Sequence, residues 1–149
     1  MVNTRILQWN DFAEMCDDLY GSLMWKNFDG IVSIGQGGTI VGSILAKKLG
    51  TRVCPVFVTH RGTGKDKITE IIQLGVASDL ERGSYLLVDD ECFTGETFDI
   101  LKKALPNLHL RTASLVCREE HYKPDYYICS SDEKIVFPIF FYLLVARLE

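Results

Sequence analysis

Two adjacent carboxylates, Asp89 and Asp90, close an apolar run of Tyr85, Leu86, Leu87 and Val88, and Thr94-Gly95-Glu96-Thr97 follows shortly after. Paired acids of this kind can hold sugar hydroxyls or a hard cation. Threonine hydroxyls and backbone N–H groups at a helix start can cradle a phosphate, and Gly95 lets the backbone come close to it. Phe98, Ile100, Leu101 and Leu105 have near-helical spacing, which predicts a helix leaving the turn. A strand that runs through such a turn into a helix places its ligand at the carboxyl end of a parallel sheet. Acids at one end and a phosphate cradle at the other suit a phosphosugar. The competing reading is a buried strand that ends in acids before an N-capped helix and binds nothing.

A second turn of the same type follows an earlier strand. Gly30 to Ile34 is apolar enough to be buried on both faces. Gly35-Gln36-Gly37-Gly38-Thr39 comes next, and Ile40, Val41, Ile44, Leu45 and Leu49 then predict a helix closed by Gly50. The glycine-rich piece is either another anion cradle or only a tight turn. After a predicted strand over 52–59, residues 60–67 are polar, glycine-containing and basic, with His60, Arg61, Lys65 and Lys67. They read as a mobile loop over an anion or as an ordinary solvated hairpin.

The remaining elements must position these groups. Residues 4–8 predict a short strand, and Asn10 or Asp11 caps a first helix carrying Phe12, Met15, Cys16, Leu19 and Leu23. Residues 109–117 predict a strand ending at Arg118, and 123–129 a turn and strand. Beyond them lie Ile135, Phe137 and an aromatic tail, Phe140-Phe141-Tyr142, suited to a core or a dimer face.

The chain of 149 residues fits one domain. Hydrophobic content of 47% and charged content of 24% are those of an ordinary soluble protein. A net charge of −4 argues against a nucleic-acid-binding face, so an anionic substrate needs local donors. Five scattered cysteines without a CxxC pair read as reduced thiols in the cytoplasm. The N-terminus shows no signal-peptide pattern, and the longest apolar run, over 135–146, is broken by Pro138 and too short to span a bilayer.

Apolar residues, two acids, a short variable piece and Thr-Gly-x-Thr resemble the phosphoribosyl-diphosphate (PRPP) motif of type I phosphoribosyltransferases. Other matches extend the resemblance over most of the chain. A turn like that at 36–38 contacts pyrophosphate in that family, often with a cis peptide, and a loop placed like 60–67 closes over PRPP. Pro-Asp-Tyr-Tyr followed by Ile-Val-Phe-Pro is similar to the hood of the xanthine-guanine branch. The resemblance implies a Rossmann-like, mostly parallel α/β sheet flanked by helices, in one domain over 1–149 with a hood over roughly 119–149. It implies transfer of ribose 5-phosphate from PRPP to a nucleobase, purine foremost, with Mg²⁺ as cofactor and a homodimer as the assembly. Asp89 and Asp90 become the catalytic and metal-binding pair. Gln36, Gly37, Gly38, Lys65, Phe93, Thr94, Gly95, Glu96 and Thr97 become the PRPP and phosphate site. Arg118, Ile135 and Phe137 become the base site, Arg118 donating to the exocyclic oxygen or else facing solvent and pairing with Glu119 or Glu120.

Three residues depart from that pattern. Phe93 stands where 6-oxopurine enzymes have an Asp that handles the proton at N7, and Phe cannot do that chemistry. Gln36 replaces the basic residue of the pyrophosphate turn, and Lys134 replaces the aromatic that stacks on the purine. Glu91 is a third acid, which strand alternation turns away from Asp90. The departures keep open a second function, a PRPP- or nucleotide-binding regulatory protein without turnover, and a third, transfer to a different nucleophile.

Overall fold

The computed structural model describes residues 3–62, 65 and 67–140. Thr63, Gly64 and Asp66 of the basic loop, and Phe141 and Tyr142 of the tail, lie outside the described residues. The strands are β1 (Thr4–Ile6), β2 (Gly30–Ile34), β3 (Val53–Arg61), β4 (Ile68–Gln73), β5 (Gly83–Val88), β6 (Glu91–Cys92), β7 (Leu108–Cys117), β8 (Tyr126–Ser130) and β9 (Lys134–Val136). The helices are α1 (Trp9–Leu23), α2 (Gly35–Leu49) and α3 (Glu96–Ala104).

The main sheet runs β4-β3-β2-β5-β7-β6, with β8 also paired to β7. Every pairing in it is parallel except the β3–β4 hairpin. Parallel strands bury both faces, and β2 does so along its whole length. On one face, Phe12 and Leu19 of α1 and Val41 and Leu45 of α2 pack with Leu86, Val88 and Leu115. On the other, Phe98 and Leu101 of α3, three residues apart and so on one helical stripe, pack with Val32, Leu87 and Cys117. Removing a fully buried ring such as Phe98 would cost about 3–5 kcal/mol. Its neighbour in sequence, Thr97, is thereby held at the mouth of the sheet.

Two expectations shift, and one further pairing appears. The cap of α1 is Gln8, whose backbone N–H donates to Asp11 Oδ2 at 2.9 Å, so Asp11 serves the cap from inside the first turn. Residues 35–39 are not an open turn but the first turn of α2, because Gly35 at φ 61 lets the chain enter the helix directly from β2. The N-terminal strand β1 pairs in parallel with β9, which ties the start of the chain to the hood. The other end of α2 is as expected, closed by Gly50 at φ 67.

Candidate functional site

The acids occupy the junction between β5 and β6, where they stay bonded to β7. Asp89 N–H donates to Ala113 O at 3.0 Å, and Asp90 O accepts from Leu115 N at 3.0 Å and Val116 N at 3.2 Å. Pairing to β7 then resumes at the same offset, Val88 facing Ala113 before the junction and Glu91 facing Val116 after it. Asp90 N–H donates to Asp89 Oδ1 at 2.9 Å. Burial, and next the charge of Asp90, push the Asp89 carboxyl well above the usual carboxylate range.

The first turn of α2 leans directly on this pair. A Cβ at Gly38 would stand 2.6 Å from Val88 O, and one at Gly37 would run into the Asp90 carboxylate. Only glycine permits that approach. The Ser33 and Thr39 hydroxyls meet at 3.0 Å and Thr39 also bonds Gly35 O, which holds the turn wound. Gln36 is exposed beside it. Every described peptide bond is trans, that between Gln36 and Gly37 included.

The phosphate turn closes the same cleft. Gly95 has φ 77 and precedes α3, and Thr94 Oγ1 accepts from Glu96 N–H at 3.4 Å. The Tyr122 ring covers Gly95 so closely that a Cβ there would enter the ring, and Tyr122 lies 5.7 Å from the Phe98 ring. The cleft has a volume of about 230 Å³ and is lined by Asp89 through Phe98 together with His60 and Lys67. Thr94, Gly95, Glu96 and Thr97 are thus brought together with the acids. Gly37 and Gly38 back the acid pair without lining the cleft, and Lys65, exposed, is not among its walls. From the basic loop the structure instead supplies Lys67, together with His60, whose Nδ1 is 2.9 Å from Thr69 Oγ1. Arg61 turns to Glu70 at 3.6 Å.

At the far end, Phe93 is half exposed and its ring lies 4.9 Å from the Arg118 guanidinium carbon. Arg118 was expected either to reach a base or to face solvent beside Glu119 and Glu120. It does neither. Its side chain is 10% exposed, its Nη2 donates to Glu133 O at 2.9 Å, and Asp132 and Glu91 lie at 3.6 and 3.8 Å. Glu119 instead accepts from Tyr127 and pairs with Lys123. Ile135 and Phe137 also depart from expectation. Their side chains are buried in the core on the α1 face, Phe137 at 6.1 Å from Phe12, because the β1–β9 pairing pulls the hood strand onto α1. Lys134 is exposed.

Glu91, read from the sequence as a third acid turned away from Asp90, also lines the cleft. Its pairing with Val116 keeps the offset that Val88 has with Ala113, so β6 continues the register of β5. Its carboxyl is pushed up to about 7, first by burial and then by Asp90, with Arg118 pulling the other way. No sequence signal marked it beyond its charge.

The family model for the phosphoribosyl transferase domain matches residues 3–145. A xanthine-guanine phosphoribosyltransferase of Chromohalobacter salexigens is 29% identical over 110 residues, which are 71% of this chain and 64% of that protein. The chain thus spans under two thirds of that relative. The fold is similar to a purine phosphoribosyltransferase from Pyrococcus horikoshii, with TM-score 0.80 at 24% identity, covering 91% of this chain and 92% of that one. It is also similar to the Helicobacter pylori xanthine-guanine-hypoxanthine phosphoribosyltransferase, with TM-score 0.81 at 17% identity, covering 99% and 100%. The parallel sheet, flanking helices and hood are those of type I phosphoribosyltransferases, and the chain belongs to the phosphoribosyl transferase domain family.

Proposed function

We propose that this protein transfers the ribose 5-phosphate of PRPP to a nucleobase, a purine foremost, with release of pyrophosphate. One observation carries the reading: the acid pair and the Thr94-to-Thr97 turn line a single cleft, with the α2 glycines packed against its acids. The α3 N-terminus with Thr94 and Thr97 takes the 5-phosphate. Asp89 and Asp90 accept the ribose hydroxyls, and Lys67 faces the diphosphate. The bond from C1 to pyrophosphate breaks through an oxocarbenium-like state as a ring nitrogen bonds to C1. The chain's share is alignment, charge neutralisation and shelter from water.

The residues fit Mg²⁺. Two adjacent carboxylates, one of them raised first by burial and then by the charge of the other, are a place for a cation. Mg²⁺ takes one or two carboxylates and completes its shell with water and phosphate oxygens. Asp89 and Asp90 would hold it, and it would offset the diphosphate charge. The five free cysteines suit a reducing compartment such as the cytoplasm. A homodimer is the assembly we expect. No helix among the described residues is long and apolar enough to cross a membrane.

The test is pyrophosphate release with Mg²⁺ and PRPP against hypoxanthine, guanine, xanthine, adenine, uracil and orotate. Release that depends on one base supports the reading and names the acceptor. PRPP or nucleotide binding with no release from any base would establish the regulatory alternative. Asp89→Asn or Asp90→Asn with unchanged PRPP affinity would refute the site.

A further inference from the structure

The cleft contains one carboxylate that the fold has not satisfied. Glu91 Oε1 is fully buried and has no hydrogen-bond partner among the described residues. The nearest cationic nitrogen, Arg118 Nη2, is 3.8 Å away and already donates to Glu133 O. The ring of Phe93 covers the guanidinium, and the 132–133 segment of the hood holds it from the other side. Arg118 is therefore fixed just short of Glu91. A buried acceptor without a donor is a standing cost, and it is relieved when a ligand brings an N–H. Asp89 and Asp90 already serve the sugar end of the cleft, whereas Glu91 lies on the side of Phe93, Arg118 and the hood, where an acceptor base would dock.

We propose that Glu91 is a specificity-determining residue whose carboxylate accepts an N–H from the edge of the acceptor base. The inference rests on the phosphoribosyl-transfer reading. It selects bases with a lactam N–H or an exocyclic amine facing the hood. Arg118 is then a positioning residue, holding Glu91 and Phe93 in place without touching the base. This also gives Phe93 a role: an apolar wall beside the carboxylate that keeps water from taking the donor's place.

Ribose hydroxyls also donate to carboxylates, so the test separates the two sources. Calorimetry would compare guanosine 5′-monophosphate with ribose 5-phosphate for the wild type, Glu91→Gln and Glu91→Leu. The expected result is a loss of about tenfold or more in affinity for the nucleotide in Glu91→Leu, and a smaller loss in Glu91→Gln, whose amide oxygen still accepts. Ribose 5-phosphate affinity stays within about twofold throughout. Equal losses for both ligands would assign Glu91 to the sugar and overturn the proposal, as would unchanged nucleotide affinity in both variants. Should Glu91→Leu fail to fold, the near-isosteric Glu91→Gln decides by the same two ligands. A wild type that binds ribose 5-phosphate but gains nothing from the base overturns this inference alone. A wild type that binds neither ligand overturns the phosphoribosyl reading beneath it as well.

Discussion

Substituting Gly37 and Gly38 by alanine separates two ways of disturbing the acid pair. At Gly38 the new Cβ would lie 2.6 Å from Val88 O and 3.1 Å from the Asp89 Cα, both backbone atoms with no rotamer to adopt. Since ordinary contact begins near 3.4 Å, the first turn of α2 must withdraw by roughly 0.8 Å from the strand end. Overpacking of that kind costs about 1–3 kcal/mol. In a chain of this length that is a fall of roughly 3–10 °C in Tm. At Gly37 the obstacle is the Asp90 carboxylate, the end of a side chain that can rotate away. Gly37→Ala should therefore cost under about 1 kcal/mol in stability, but turn one of the two acids out of the cleft. Losing a charge-assisted hydrogen bond lowers PRPP affinity by about ten- to a hundredfold. The assays are thermal unfolding and calorimetric titration of PRPP with Mg²⁺. The expected pattern is a large Tm fall for Gly38→Ala, and for Gly37→Ala a near-normal Tm with weak binding. Gly37→Ala with wild-type affinity would refute the placement of Asp90 in the ligand site. Gly38→Ala with wild-type Tm would refute the close approach of α2 to the strand.

Other perturbations test the surrounding structure. Burial alone would raise the Asp125 carboxyl, but Thr112 N–H at 2.8 Å, the Thr112 hydroxyl and Arg111 outweigh it and hold it low. The folded state therefore binds fewer protons there than the unfolded chain. That stability is present above the usual carboxylate range and is lost as pH falls through the depressed value. Asp125→Asn should cost about 1–2 kcal/mol in denaturant unfolding at pH 7, and its deficit should shrink near pH 3. Lys67→Ala should leave stability within about 0.5 kcal/mol but weaken PRPP binding, most visibly at low salt, as titrations at two ionic strengths would show. Gly95→Ala places a side chain at φ 77 and into the Tyr122 ring. In a double-mutant cycle with Tyr122→Ala the two changes should be non-additive, with a residue of about 1 kcal/mol or more from the backbone strain that Tyr122→Ala cannot relieve.

Much of the site was legible because local chemistry dictates it. The apolar run before Asp89, the Thr-Gly-x-Thr turn and the stripe of Phe98 and Leu101 each follow from neighbours in sequence, and together they place strand, turn and helix. Gly30 to Ile34 declared a doubly buried strand for the same reason. What failed depended on partners far away. The parallel pairing of β1 with β9 draws Ile135 and Phe137 onto Phe12 and Leu7, which no local pattern near residue 135 records. Arg118 reads in the sequence as a base donor or a partner of Glu119 or Glu120, because Glu133 O, to which it donates, is a backbone atom fifteen residues on. The winding of 35–39 into α2 was hidden by its glycines, which fit a loop or a helix start equally well.

The junction between β5 and β6 has a thermodynamic consequence. Residues 89 and 90 are spliced between two stretches that hydrogen-bond to β7 in one register, and Asp90 O alone accepts two N–H groups. The acid pair's backbone has thus already surrendered its conformational freedom when the chain folds. Ordering costs of about 1–2 kcal/mol per residue are met then and not charged against the ligand. The sugar end of the cleft should accordingly bind with little entropic penalty from the main chain.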